Sequence, residues 1–131
     1  MPPEMRDDTA FMDRIHAFLP GWDVPKINKD LVTNHFGLVS DFLSECWNQI
    51  RRQSRQSILT GRVHLGGALS GRDTTAIQKT VSGLIKLMSP KPDAPVSDEL
   101  LEWAVRLALE CRRRVKEQQK RIVPEIGRAH V

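Results

Sequence analysis

The sequence predicts a mostly α protein, with three main helices preceded by one β-strand. Three observations carry that expectation. Apolar residues recur at three- and four-residue spacing over most of the chain. Serines and acidic residues stand where helix starts need caps, and prolines stand where helices would stop. One stretch alone, residues 15–19 ("IHAFL"), has the short apolar run of a buried strand, closed by Pro20-Gly21.

The elements follow in order. A short helix over Thr9–Asp13 leads into the strand. Pro20-Gly21 and Pro25 then break the chain, and residues 23–33 read as a hinge or connector. A long amphipathic helix is expected from about 34 to 56, because Phe36, Val39, Leu43, Cys46, Trp47 and Ile50 keep helical spacing. Asn34 is its candidate N-cap, and its basic end suits the negative pole of the helix dipole. Residues 60–69 form a glycine-bearing connector with a short β excursion over 63–65. Ser70 opens the next helix, with Asp73 three residues on in the acidic place of a capping box. Ala76, Ile77, Val81, Leu84 and Ile85 give that helix its apolar face, and Pro90 and Pro92 end it. Beyond the loop "KPDAPV", Ser97 caps the last helix, with Asp98 and Glu99 in its first turn. Its far end, residues 112–121, is basic and reads as solvated.

Composition narrows the classes. The chain has 131 residues, 40% hydrophobic and 27% charged, which fits one soluble globular core. A net charge of +4 permits a nucleic-acid or nucleotide partner without requiring one. Cys46 and Cys111 lie in apolar helical stretches without a CxxC partner and read as reduced core residues of a cytoplasmic protein. No apolar run approaches the roughly 18 residues that span a bilayer, and the N-terminus lacks a signal-peptide core, so no membrane role is expected. His16, His35, His64 and His130 are scattered, so no metal site is expected. There is no G-x-x-x-x-G-K-[ST] phosphate loop and no nucleophile elbow.

The residues that stand out are cations at structural boundaries. Arg14 stands at the mouth of the expected strand; a guanidinium fixed there can clamp phosphate oxygens, or can simply pair with Asp13 or Asp8. Arg72 lies in the first turn of its helix, where backbone N–H groups and the dipole already favour an anion; solvent exposure is the plain alternative. Lys79, about two turns on, extends the same reach or merely solvates the helix. Arg51, Arg52 and Arg55 form a weak candidate patch for DNA phosphates.

Together these residues resemble a known family. "FMDRIHAFLPGW" is similar to the end of an AAA+ ATPase core of the Lon and MCM type, where an arginine finger precedes the last core strand. "SGRDTTAIQKTVSGLIKLM" is similar to the lid helix that carries the sensor-2 arginine. The blocks "RDDTAFMDRIHAFLPGWDVPKI", "FGLVSDFL" and "LSGRDTTAIQKTVSGLIKL" agree in order and spacing with the Lon-related family of BREX phage-defence proteins, over roughly residues 4–122. The resemblance implies the end of an AAA+ core over 1–22, a hinge over 23–33 and a helical lid over 34–122. It implies Arg14 as an arginine finger acting in trans and Arg72 as sensor 2, with Lys79 the competing register. It also implies ATP and Mg2+ in the full-length parent, self-assembly into a ring, a Lon-protease-like domain downstream, and action on DNA in phage defence. Walker segments would lie upstream, so the chain reads as an internal fragment that does not turn over ATP alone. Residues 123–131 include "EIGRAHV", which resembles a translated sequencing-adapter end, and are left out of the expected fold. Two other readings stay open: a small basic helical DNA-binding module, and a helical interaction module without a ligand.

Overall fold

The computed structural model describes residue 4 and residues 8–122. Four α-helices make the frame among the described residues: α1 (Thr9–Asp13), α2 (Ser40–Arg51), α3 (Gly71–Met88) and α4 (Asp98–Ile122). Short 3-10 turns stand at Gly21–Asp23, Lys29–Leu31 and Gln56–Leu59.

Helix α3 begins where its local chemistry dictates. The Ser70 Oγ accepts the Asp73 N–H at 3.2 Å, and the Asp73 carboxylate accepts the Ser70 N–H at 3.1 Å. Two of the orphan donors at the helix start are thus satisfied, as the sequence predicts. The proline-bearing loop then reverses the chain, and the Ser97 Oγ accepts the Leu100 N–H at 3.2 Å at the start of α4. Because the start of α3 meets the far half of α4, the two helices run antiparallel.

Their seam is the core. Ile77, Val81 and Ile85 of α3 pack against Leu101, Ala104 and Ala108 of α4, with Leu59 closing one side. The alanines let the helix backbones approach closely. Each large apolar side chain buried here contributes roughly 1.5–3 kcal/mol. Arg55 straps the preceding turn to this pair. Its backbone N–H donates to the buried Ser82 Oγ at 2.9 Å, and its guanidinium donates to the carbonyls of Lys91 (2.5 Å) and Ala94 (2.8 Å).

Three expectations are corrected. No strand forms at residues 15–19, or anywhere among the described residues. A strand needs a ladder, and among the described residues no second strand supplies one; instead the Ile15 carbonyl accepts a bond from Arg112 at 2.7 Å. The helix expected over 34–56 is shorter, running from Ser40 to Arg51, and Asn34 caps nothing. Gly37 weakens helix by about 1 kcal/mol relative to alanine, and the Val39 backbone is extended (ψ 134°). The β excursion at 63–65 is irregular chain, entered through a turn at Gly61 whose φ of +75° suits glycine. The tail at 123–131 lies outside the described residues.

Every residue from 21 to 42 is exposed, and α2 buries none of its side chains fully. Helix α1, five residues long, is instead held firmly, with Met12 buried and its C-terminal end seated on α3 and α4.

Candidate functional site

The seat of α1 is built by the buried face of α4. Ala104, Ala108, Arg112, Val115 and Gln119 follow one another at steps of three or four, so they share one side of the helix. All five are buried. The apolar stripe therefore turns polar in its second half, where α1 lands.

Arg112 is 3% exposed and forks three ways. Its Nε donates to Asp73 Oδ1 at 2.7 Å, its Nη1 to the Ile15 carbonyl at 2.7 Å, and its Nη2 reaches Asp13 Oδ1 at 3.4 Å. Lys116 Nζ lies 3.1 Å from Asp13 Oδ1 and 3.2 Å from Asp73 Oδ1. Gln119 Nε2 donates to Asp13 Oδ1 at 2.7 Å and to the Thr9 carbonyl at 3.4 Å. From α3, Arg72 Nη1 donates to Asp13 Oδ2 at 2.8 Å. Two carboxylates thus face three cations.

The titration of the cluster follows from these contacts. Burial works against the charged form of Asp13, but donors from Gln119, Arg72 and Lys116 outweigh it and hold the carboxyl well below the usual range. Asp73 is treated alike: burial opposes its charge, while Ser70, Arg112 and Lys116 hold it low. His16, next to the joint, is pushed down by burial first and then by the charges of Lys79 and Arg112.

The sequence-predicted cations divide into those the cluster gathers and those it does not. Arg72 is in it. Arg14 follows Asp13 directly, is exposed, and donates to the Ala10 carbonyl at 2.7 Å. Arg72 therefore reaches the residue next to Arg14 in sequence. Lys79 is exposed on α3. Seven residues are nearly two whole helical turns, so Lys79 looks out on the same side as Arg72, about 10 Å along the axis. Arg51 and Arg52 are exposed at the end of α2, apart from the joint. Arg55 is buried, and its guanidinium is engaged by backbone carbonyls.

Arg112, Lys116 and Gln119 escaped the sequence reading, which took residues 112–121 for a solvated basic end, and Asp13 entered it only as a candidate partner of Arg14, which instead donates to the Ala10 carbonyl. The signal that could have found them is the α4 stripe itself, which continues through Arg112 and Gln119 without a break. The next two arginines do face outward: Arg113 pairs with Glu110 and Glu117, and Arg114 with Glu110 and Asp23. Glu110 is pulled down to about 2 by those two guanidinium groups. Among the described residues no group of His, Cys, Asp and Glu is placed to hold a metal ion, and no helix is long and apolar enough to cross a membrane.

A short helix clamped by charge onto an antiparallel pair, with cations around the joint, finds its class by comparison with known proteins: it is part of an ATPase domain. The family model described as "Lon-like protease BrxL-like, ATPase domain" matches residues 1–130, and the chain belongs to that BrxL-like family. It is 42% identical over 120 residues to the Lon-like protease BrxL of Escherichia coli O9:H4 (strain HS). It is 43% identical over 121 residues to the protein of the same name from Bacillus cereus (strain H3081.97). Each match covers 92% of this chain but only 17% and 18% of the respective relatives, so the chain spans less than a fifth of their length.

Proposed function

We propose that the chain forms the end of an AAA+ core and the helical lid that follows it, within an ATP-dependent Lon-type protein of phage defence. Arg14 serves as an arginine finger on a neighbouring subunit's nucleotide. Arg72 acts as sensor 2 on the nucleotide of its own subunit, with Lys79 the competing register on the same side of α3. ATP and Mg2+ belong to the assembled parent, which works as a ring of identical subunits. The observation that carries this reading is the joint at Asp13. It seats the helix that precedes the exposed Arg14 against α3 and α4, and so brings Arg14 and the half-exposed Arg72 to one support. Catalysis of phosphoryl transfer is largely positioning plus neutralisation of charge, so cations carried on a well-seated support suit such a site.

The test is Arg14→Ala in the full-length parent. ATP turnover is expected to be lost while ATP binding is retained; turnover that survives refutes the finger assignment.

Binding of DNA through this segment has one observation in its favour, the exposed Arg51 and Arg52 on the little-buried α2. The burial of Arg55 and Arg112 and the pairing of Arg113 and Arg114 weigh against it. A steep salt dependence of DNA binding that Arg51→Ala and Arg52→Ala flatten would restore it.

A further inference from the structure

The two oxygens of Asp13 are used unequally. Oδ1 takes Gln119, Lys116 and Arg112, all from α4, whereas Oδ2 takes Arg72 from α3. The donors differ as well. The Arg112 side chain is 3% exposed, but that of Arg72 is 56% exposed and can swing outward. Charge points the same way. Without Arg72 the cluster holds Asp13 and Asp73 against Arg112 and Lys116 and is balanced; with Arg72 it carries one positive charge in excess. Arg72 can therefore leave without stranding a buried carboxylate.

We infer that the Arg72–Asp13 ion pair is a parking position, in which Asp13 competes with nucleotide phosphate for the Arg72 guanidinium. The inference rests on the assignment of Arg72 to a nucleotide phosphate. In the parked state Arg72 stays beside α1, the helix that Arg14 caps. On nucleotide binding it exchanges one carboxylate oxygen for phosphate oxygens, which match its planar fork. Asp13 keeps its three α4 donors throughout, so α1 remains seated while Arg72 moves. The ion pair thereby lowers nucleotide affinity, because the site must first take Arg72 from Asp13.

Two substitutions in the full-length protein push in opposite directions, with ATP binding read by calorimetric titration. Asp13→Asn removes the competing charge and should lower the Kd for ATP by about twofold to fivefold, the scale of a partly exposed ion pair. Lys116→Gln leaves only Arg112 to balance the two carboxylates once Arg72 departs, so Asp13 should grip Arg72 harder and the Kd should rise by a similar factor. Both shifts should vanish when Arg72 is already alanine. A purely structural Asp13 would not tighten binding when neutralised. Folded Asp13→Asn protein with unchanged or weaker ATP binding overturns the inference. If that variant does not fold, Lys116→Gln decides, and an unchanged or lower Kd overturns it. Where Arg72→Ala weakens ATP binding but neither substitution shifts the Kd, parking alone fails. Where Arg72→Ala changes neither binding nor turnover, the sensor assignment falls and parking falls with it.

Discussion

Arg112 brings a full charge into a site where water hardly reaches, and two carboxylates and a carbonyl converge on it. Removing one member of such a set is costly because the others stay buried without compensation. Arg112→Met is expected to lower unfolding stability by ~3–5 kcal/mol, measured as a fall in the urea midpoint. Arg112→Lys should recover only part of it. A single ammonium does not span Asp73, Asp13 and the Ile15 carbonyl as a planar fork does. At this scale the sequence was informative about type and poor about place. Cations at boundaries were readable, and so was the basic run at 112–114. That only its first arginine turns inward follows from the 3.6-residue period, which sets Arg112 under Ala108 and leaves Arg113 facing solvent. Arg55 was misread for another reason: its partner carbonyls lie 36 and 39 residues further on, and no local pattern announces them.

Elements built from local chemistry were legible, and those needing distant partners were not. The start and end of α3 follow from Ser70, Asp73 and the prolines, all within a turn of where they act. Ser70→Ala should therefore cost about 1 kcal/mol, seen as a lower thermal midpoint. Helix α2 shows the limit of periodicity. Its apolar residues keep helical spacing, yet Phe42 and Trp47 remain 59% and 52% exposed. A helix gains most of its stability by burying an apolar face, so the predicted first turns at 34–39 had little to hold them. The expected strand failed likewise. A five-residue apolar run is compatible with a strand, but only a ladder makes one. What holds residues 8–15 is the burial of Met12 together with charge and hydrogen bonding supplied by α3 and α4.

For the molecule as a whole, acidity is the sensitive variable. Asp13 and Asp73 are held below the ordinary carboxylate range, so their folded pKa values lie under the unfolded ones. Their contribution is then complete above about pH 4 and lost as pH falls further. His16 is also pushed down, so the folded state resists its protonation, and stability declines as pH drops below about 6.5. The two effects have the same sign. Denaturant midpoints should be flat near neutrality, lower at mildly acid pH and lower again below about pH 4. His16→Gln should remove the first decline and leave the second. A midpoint that rises on acidification would contradict both shifts.

The clamp joins residues at opposite ends of the chain: Ile15 and Arg112 are 97 positions apart, and Thr9 and Gln119 are 110 apart. That separation orders events in time. A five-residue helix is too short to persist alone in water. At ~5–20 residues per second of synthesis, its seat emerges from the ribosome roughly 5–20 seconds after it does. The pairing of α3 with α4 can form from neighbouring sequence, whereas the contacts of α1 with α4 must close a loop of about a hundred residues. The seat of the segment that bears the proposed finger is thus completed only after α4 has been made. A newly made chain passes through an interval in which Arg14 exists without the α4 contacts that hold its helix.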